Sequence, residues 1–313
     1  MKKGWQNAKL LERIPFKKVI LFNLFIAIST IFFGIIGLIP VLLLRFRASK
    51  KHYWLSLVIL LAGFAILSPI VLIILIAILL AIETFFLLEG FKFSLFFNLL
   101  MSSLVATGFL CASFFTLQDS TLFVQLLTQL EPLKQKFLSE LSPKTFTQLL
   151  AQVPSLLVVS FSFLFFFSLR WISFCKSNNT LADIKQFQLS GFSTNSYLVQ
   201  LKKRSFNFSV SSWGVWVFIL ALLLSFVDLS LPPAFKTFGI NVLNICFAFY
   251  FLQGLGIITD VLSLLKLKKT TKRLIYLISF IYLFSFISVL GFLDYWFSFR
   301  TKIKLYKILN KKK

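Results

Sequence analysis

Apolar residues in this chain come in runs too long for the helices of a soluble protein. Eight segments, at about 19–44, 53–67, 70–88, 93–117, 153–172, 213–231, 238–260 and 274–297, carry almost no charge. A run of about 18 or more such residues is long enough to cross the hydrocarbon of a bilayer as a helix. Hydrocarbon offers no water to backbone amides, so each segment must satisfy its own hydrogen bonds by being helical. The expected fold is therefore all-α: a polytopic integral membrane helical bundle of about eight transmembrane helices, forming one membrane domain over 1–313. The 53–67 segment is short, so it is expected to be little tilted or to cross incompletely.

Composition closes off the other classes. Hydrophobic residues make up 58% of the chain and charged residues 14%, against about 45–50% and about 25% in soluble domains. A soluble enzyme, a disordered chain and a secreted disulfide scaffold are all excluded on that ground. Cys111, Cys175 and Cys246 stand apart and His52 is the single histidine. A structural zinc site takes about four ligands and a catalytic one about three, so neither a metal nor a cofactor is expected.

Lys and Arg number 33 against 10 Asp and Glu, a formal charge of +23. The basic residues lie between the apolar runs, where they orient the chain and meet anionic lipid headgroups. Nucleic acid is not an expected partner, because no loop is long enough for a folded basic domain. Residues 1–18 form a basic N-terminal segment, 173–211 a polar basic loop and 298–313 a basic tail. The first apolar run is too long for a signal-peptide core and reads as a retained span. Lys and Arg divide almost evenly between the two sides of an eight-span topology. Making the first segment re-entrant, broken as it is by Gly34, Gly37 and Pro40, removes the tie but leaves a basic C-terminus outside. The topology adopted places both termini inside. Trp54, Trp171, Trp213 and Trp296 sit at segment ends, as an interfacial aromatic belt requires.

Between the fourth and fifth segments, 118–152 carries Leu122, Leu126, Leu130, Leu133, Phe137 and Leu141 at steps of three and four. That spacing lines one helical face. Ser142-Pro143 then reads as the cap and first residue of a second short helix. The excursion is expected to be amphipathic, packed on the membrane surface or over the bundle.

An ionisable residue near the bilayer centre costs at least ~2.5–3.5 kcal/mol on insertion scales, so each one calls for a reason. Glu83, Glu89, Asp228, Asp260 and Asp294 lie in or beside apolar segments, Glu83 the deepest of them. Glu89 beside Lys92 and Asp228 before Pro232-Pro233 read as near-surface groups. The seventh segment is the most polar span, with Asn241, Asn244, Gln253, Gly254, Gly256 and Asp260. Gln253, Gly256 and Asp260 share a helical face, which suits close packing glued by hydrogen bonds or the wall of a ligand cavity. Ala77 and Ala81 make a small-residue packing pair in the third segment. On an uninterrupted helix Asp294 and Arg300, six apart, do not face each other. Asp294 is then expected to pair with a base from the cluster Lys266, Lys268, Lys269, Lys272 and Arg273, and Arg300 to mark the cytoplasmic boundary. No HExxH, GxSxG, GxxxxGK[ST] or histidine dyad occurs, so no catalytic residue is assigned and the chain is not expected to be an enzyme.

Three stretches carry a resemblance: FYFLQGLGIITDVLSLLK at 249–266, LGFLDYWFSFRTK at 290–302 and VPSLLVVSFSFLFFFSLR at 153–170. They resemble motifs of the YybS-like bacterial membrane proteins, in which a Gln-Gly step precedes a Gly-x-x-Asp-x-Trp-x-x-x-Arg ending. The matching positions are Gln253-Gly254 and Gly291, Asp294, Trp296 and Arg300, with Pro154 opening and Arg170 ending the fifth segment. The resemblance implies a multi-pass protein of the bacterial cytoplasmic membrane, of unassigned activity. Its helical plan is distantly similar to the substrate-capture components of energy-coupling-factor transporters, which implies a membrane partner or ATPase module. Those components dock through small residues in the first helix; here Ala27 is followed by Ile31, and Ala77 and Ala81 lie in the third segment. Two functions stay open. In one, the chain is a small-solute binding or transport component, with candidate ligand residues Gln253, Asp260, Asp294, Asn241 and Asn244. In the other, it is a structural or assembly protein whose polar stripe only packs helices.

Overall fold

The computed structural model describes residues 16–48, 50–91, 93–117, 148–177, 208–227, 232–265, 267 and 269–311. The amphipathic excursion at 118–147, most of the polar loop (178–207), Asp228, Lys266, Lys268 and most of the basic N-terminal segment lie outside the described residues. Within them the regular structure is helical throughout. In chain order we label α1 (Phe16–Phe33), α2 (Leu38–Arg47), α3 (Lys50–Leu67), α4 (Pro69–Gly90), α5 (Leu95–Leu117), α6 (Val153–Ser177), α7 (Ser212–Phe226), α8 (Pro233–Leu264), α9 (Lys269–Ile281), α10 (Phe284–Phe297) and α11 (Phe299–Lys311).

Local chemistry explains several boundaries. Gly34–Gly37 form a 3-10 turn between α1 and α2, and Gly34 takes a positive φ of 56°, a conformation that glycine enters without a Cβ penalty. Ser68 caps α4 by accepting from the Val71 N–H at 3.5 Å, with Pro69 in the first turn. Ser94 does the same for α5, accepting from Phe97 N–H at 3.2 Å. Pro232 and Pro233 open α8.

Five stretches are long and apolar enough to cross a membrane: Ile20–Phe46, Pro69–Gly90, Leu95–Leu117, Gln148–Trp171 and Pro233–Leu264. The eighth apolar segment is not one straight span. It divides into α9 and α10, bent by 95° at Tyr282 and Leu283, and as a single broken span it would make six. Lys51–Leu67 and Ser212–Phe226 are apolar but shorter. The apolar surface agrees with a bilayer setting: Ile66 is 86% exposed, Phe226 76%, Phe32 74% and Trp216 71%. Water around so many large apolar side chains would be strongly unfavourable, and acyl chains remove the penalty.

The packing groups into two units, one of Met1–Pro143 and Ser160–Lys202, the other of Lys144–Val159 and Lys203–Lys313. In the first, α4 lies along α5, with Ala77 and Ala81 fully buried. The Ser103 and Ser162 hydroxyls meet at 2.8 Å, and Phe85 packs on Phe165 with centroids 4.6 Å apart. Glu83 is the centre of an ionic cluster that links α2, α3 and α4. Arg45 Nη2 reaches its Oε2 at 3.4 Å, the Tyr53 hydroxyl donates to Oε1 at 3.0 Å, and the Arg45 guanidinium lies over the Tyr53 ring at 4.7 Å.

In the second unit α8 is the spine, packed by α7 on one side and α10 on another. Its core joins Val215, Phe218 and Ala221 of α7 to Leu243 and Tyr250 of α8. Phe292 of α10 closes on Phe218 at 4.6 Å and on Tyr250 at 5.3 Å. Residues 298–313 are not a plain tail: after Ser298, α11 runs through Lys311.

Candidate functional site

The second unit's polar groups converge where α8, α10 and the start of α11 meet. Glycines allow the approach. A Cβ at Gly254 would stand 2.1 Å from the Ile287 carbonyl oxygen, and one at Gly291 2.0 Å from the Tyr250 carbonyl oxygen. Any larger residue at either position would hold the two backbones apart, so this is a glycine-on-glycine crossing of the kind membrane helices use. Gly256 is buried on the same helix.

Immediately before Gly254, Gln253 is 5% exposed and both ends of its amide are engaged. Its Oε1 accepts from Val210 N–H at 2.8 Å, in the segment just before α7. Its Nε2 donates to Asp294 Oδ2 at 3.4 Å. The other Asp294 oxygen accepts from the Arg300 backbone N–H at 3.2 Å, and the Arg300 Nε stands 3.9 Å from Oδ2. Arg300 is 8% exposed. Its Nη1 donates to the Phe208 carbonyl at 2.6 Å and its Nη2 to the Gln253 carbonyl. One guanidinium thus ties together α8, α10, α11 and the segment leading into α7.

Two expectations from the sequence need correction. Arg300 is a buried ion-pair partner of Asp294 and not a solvated boundary marker, and among the described residues of the basic cluster neither Lys272 nor Arg273 is ion-paired with Asp294, while Lys266, Lys268 and the Lys269 side chain lie outside the described residues. The reason is the helix break. Ser298 takes a left-handed conformation with φ 49°, caps α10 through its N–H on the Asp294 carbonyl at 2.9 Å, and turns the chain so that Arg300 folds back. The rule against i,i+6 pairs holds only on a continuous helix. A non-glycine residue at positive φ costs of order 1–3 kcal/mol, and the bonds that Arg300 makes offset that cost.

Asp260, two turns beyond Gln253 on α8, is 5% exposed, and its charge acts on Arg300 together with that of Asp294. Burial pulls the guanidinium's pKa below its ordinary value while these two carboxylates pull it upward. The net shift is downward, yet arginine starts so high that it stays a cation throughout the physiological range. Trp296 lies at the rim, half exposed, its ring edge-on to Phe292 at 4.8 Å.

Asn241 and Asn244 belong to a different cluster. Asn241 Nδ2 donates to the Ala151 carbonyl at 2.8 Å and its Oδ1 accepts from Ser155 N–H at 3.3 Å. Asn244 Nδ2 reaches Gln152 Oε1 and Ser155 Oγ, each at 3.4 Å. These bonds hold the opening of α6 against α8, about 14–18 Å along the helix from Gln253 at 1.5 Å per residue. The sequence-derived ligand set therefore separates into two groups, each bonded within the protein.

Sequence reading did not find Phe208 and Val210, which enter the site through backbone atoms and leave no side-chain signal. Among the described residues, no group of three or more His, Cys, Asp or Glu gathers as a metal ion requires. Comparison with protein-family models, with curated proteins and with solved structures gives no match.

Proposed function

We propose that this chain is a YybS-like multi-pass protein of the bacterial cytoplasmic membrane, acting as a small-solute binding or transport component. In this reading the two shorter apolar helices also cross, and the bent pair α9–α10 is one broken span, which restores eight crossings. The observation that carries the reading is the buried charge. Asp294, Arg300 and Asp260 sit within a unit whose outer surface is apolar. Ionisable groups at such depth are costly and mark solute or ion pathways in membrane proteins. A break in a helix beside paired charges is also how transporters shape sites at membrane depth. A membrane partner or an ATPase module would supply the coupling, and the basic segments would meet anionic headgroups. No catalytic step is part of the proposal.

A second reading has its own support. Gln253, Asp294 and Arg300 bond to one another and to backbone groups, which is what a structural or assembly protein needs from them. Native mass spectrometry of the detergent-purified protein separates the two. A retained small molecule that is lost in Gln253→Ala and Asp260→Asn, with the fold intact, supports solute binding. A ligand-free protein whose same variants lose stability refutes it and leaves the structural reading.

A further inference from the structure

We propose that the packing around α5 is the closed one of two arrangements, and that the first unit opens along α5 to bring water to the Asn98 amide. The inference rests on the membrane reading above and goes beyond it, since the solute-binding proposal uses no residue of the first unit. α5 is polar where it meets protein and apolar where it does not. Asn98, Ser102, Ser103 and Thr107 are each no more than 4% exposed, whereas Leu104, Val105 and Phe115 on the other side are 41%, 38% and 66% exposed. An inward polar face on a membrane helix ordinarily acts as glue, each group bonding to a neighbour. Ser103 does so, its hydroxyl meeting that of Ser162 at 2.8 Å, and Ser102 donates to the Leu99 carbonyl at 3.1 Å. Asn98 and Thr107 do not. Among the described residues neither the Asn98 amide nor the Thr107 hydroxyl has a hydrogen-bond partner, and these atoms are out of reach of solvent.

Adhesion therefore does not account for these two groups, because each weakens the closed packing by the cost of an unmade bond. Lipid would not relieve them, since acyl chains offer no hydrogen bonds; water does. Short side chains make the opening easier. Ala106 of α5 and Ala77 and Ala81 of α4 are fully buried, and such residues give up few dispersion contacts when helices part. The positions of the two groups also select the motion. Asn98 and Thr107 are nine residues apart, about two and a half turns, so they flank the buried face on opposite sides, about 14 Å apart along the axis. Rolling α5 about its axis would bring out one flank and bury the other deeper. Drawing α5 away from its neighbours brings water to both.

The test uses the full chain in lipid nanodiscs, with Cys111, Cys175 and Cys246 replaced by Ala. It reads the rate at which one introduced thiol reacts with a water-soluble thiosulfonate that does not enter hydrocarbon. Ser102→Cys, one turn from Asn98, and Thr107→Cys should both be labelled. Val105→Cys, on the lipid side, and Ala221→Cys, in the core of the second unit, should not. Asn98→Leu should slow labelling of Ser102→Cys about 5- to 150-fold, the factor that relief of one buried unsatisfied group corresponds to. Thr107→Val should slow it in the same direction, and it keeps the test decisive should Asn98→Leu fail to fold. Four results overturn the proposal: no labelling at 102 and 107, labelling at only one of them, labelling of Ala221→Cys as fast as Ser102→Cys, or a rate at 102 indifferent to both Asn98→Leu and Thr107→Val. Rapid labelling of Val105→Cys refutes the membrane reading itself and the proposal with it, since a thiol among acyl chains does not ionise to react.

Discussion

Adding one methyl group to either glycine of the α8–α10 crossing should pry the two helices apart. At Gly254 the new Cβ would meet the Ile287 carbonyl oxygen at 2.1 Å and the Ile287 Cγ2 at 2.7 Å, where ordinary contact begins at 3.4 Å. The backbones must therefore separate by at least about 1 Å, because the obstacle is a carbonyl on a packed helix and not a flexible side-chain tip. Overpacking of this kind costs about 1–3 kcal/mol, and the better helix propensity of alanine returns about 0.5–1 kcal/mol. The net expectation for Gly254→Ala or Gly291→Ala is a loss of about 1–2 kcal/mol. The two should be strongly non-additive, since the first separation makes room for the second methyl. Gly63 and Gly108 are the controls: nothing lies within 4 Å of a Cβ at either. Their alanine variants should be neutral or more stable by up to about 1 kcal/mol. Thermal unfolding in detergent with a thiol-reactive dye reads the effect through Cys246, half-buried on α8. Equal midpoints for Gly254→Ala, Gly291→Ala and Gly108→Ala would refute the close crossing.

Arg300→Lys keeps the charge but cannot reach the Phe208 and Gln253 carbonyls together, so it should lose much of the about 3–5 kcal/mol expected when one partner of a buried pair is removed; unchanged stability in chemical unfolding would contradict the geometry. Asn98 on α5 is fully buried, and among the described residues neither amide atom has a hydrogen-bond partner. Asn98→Leu should therefore stabilise by about 1–3 kcal/mol, and a lowered melting midpoint would show that the amide is engaged. Tyr53→Phe removes the 3.0 Å hydrogen bond to Glu83 and should cost about 0.5–1.5 kcal/mol, read as a shift in the same melting assay; no shift would mean that the hydroxyl contributes nothing.

The apolar runs foretold helices at eight places because hydrocarbon leaves a lone segment no other way to satisfy its backbone. The break after Phe33 was visible too, since glycines at 34 and 37 can take conformations that other residues avoid. The bend at Tyr282-Leu283 has no glycine or proline to announce it. At the candidate site, Gln253, Asp294 and the two crossing glycines stand out as polar or small residues in greasy surroundings. The pairing of Asp294 with Arg300 was hidden, because it depends on a serine adopting a left-handed turn, a conformation that composition does not advertise. The Arg45–Tyr53–Glu83 cluster was hidden for another reason. Glu83 was conspicuous, but its partners lie 38 and 30 residues away on separate helices, and one sequence carries no information on how those helices meet.

A double-mutant cycle between Asp294 and Arg300 in lipid nanodiscs, using Asp294→Asn and Arg300→Gln, tests the buried charge junction most directly. Unfolding free energies of the four proteins should give a coupling above about 1.5 kcal/mol, as for other close, desolvated charge pairs. A coupling near zero, with each single change costing little, would mean that the two side chains face lipid or water separately and that no such junction exists.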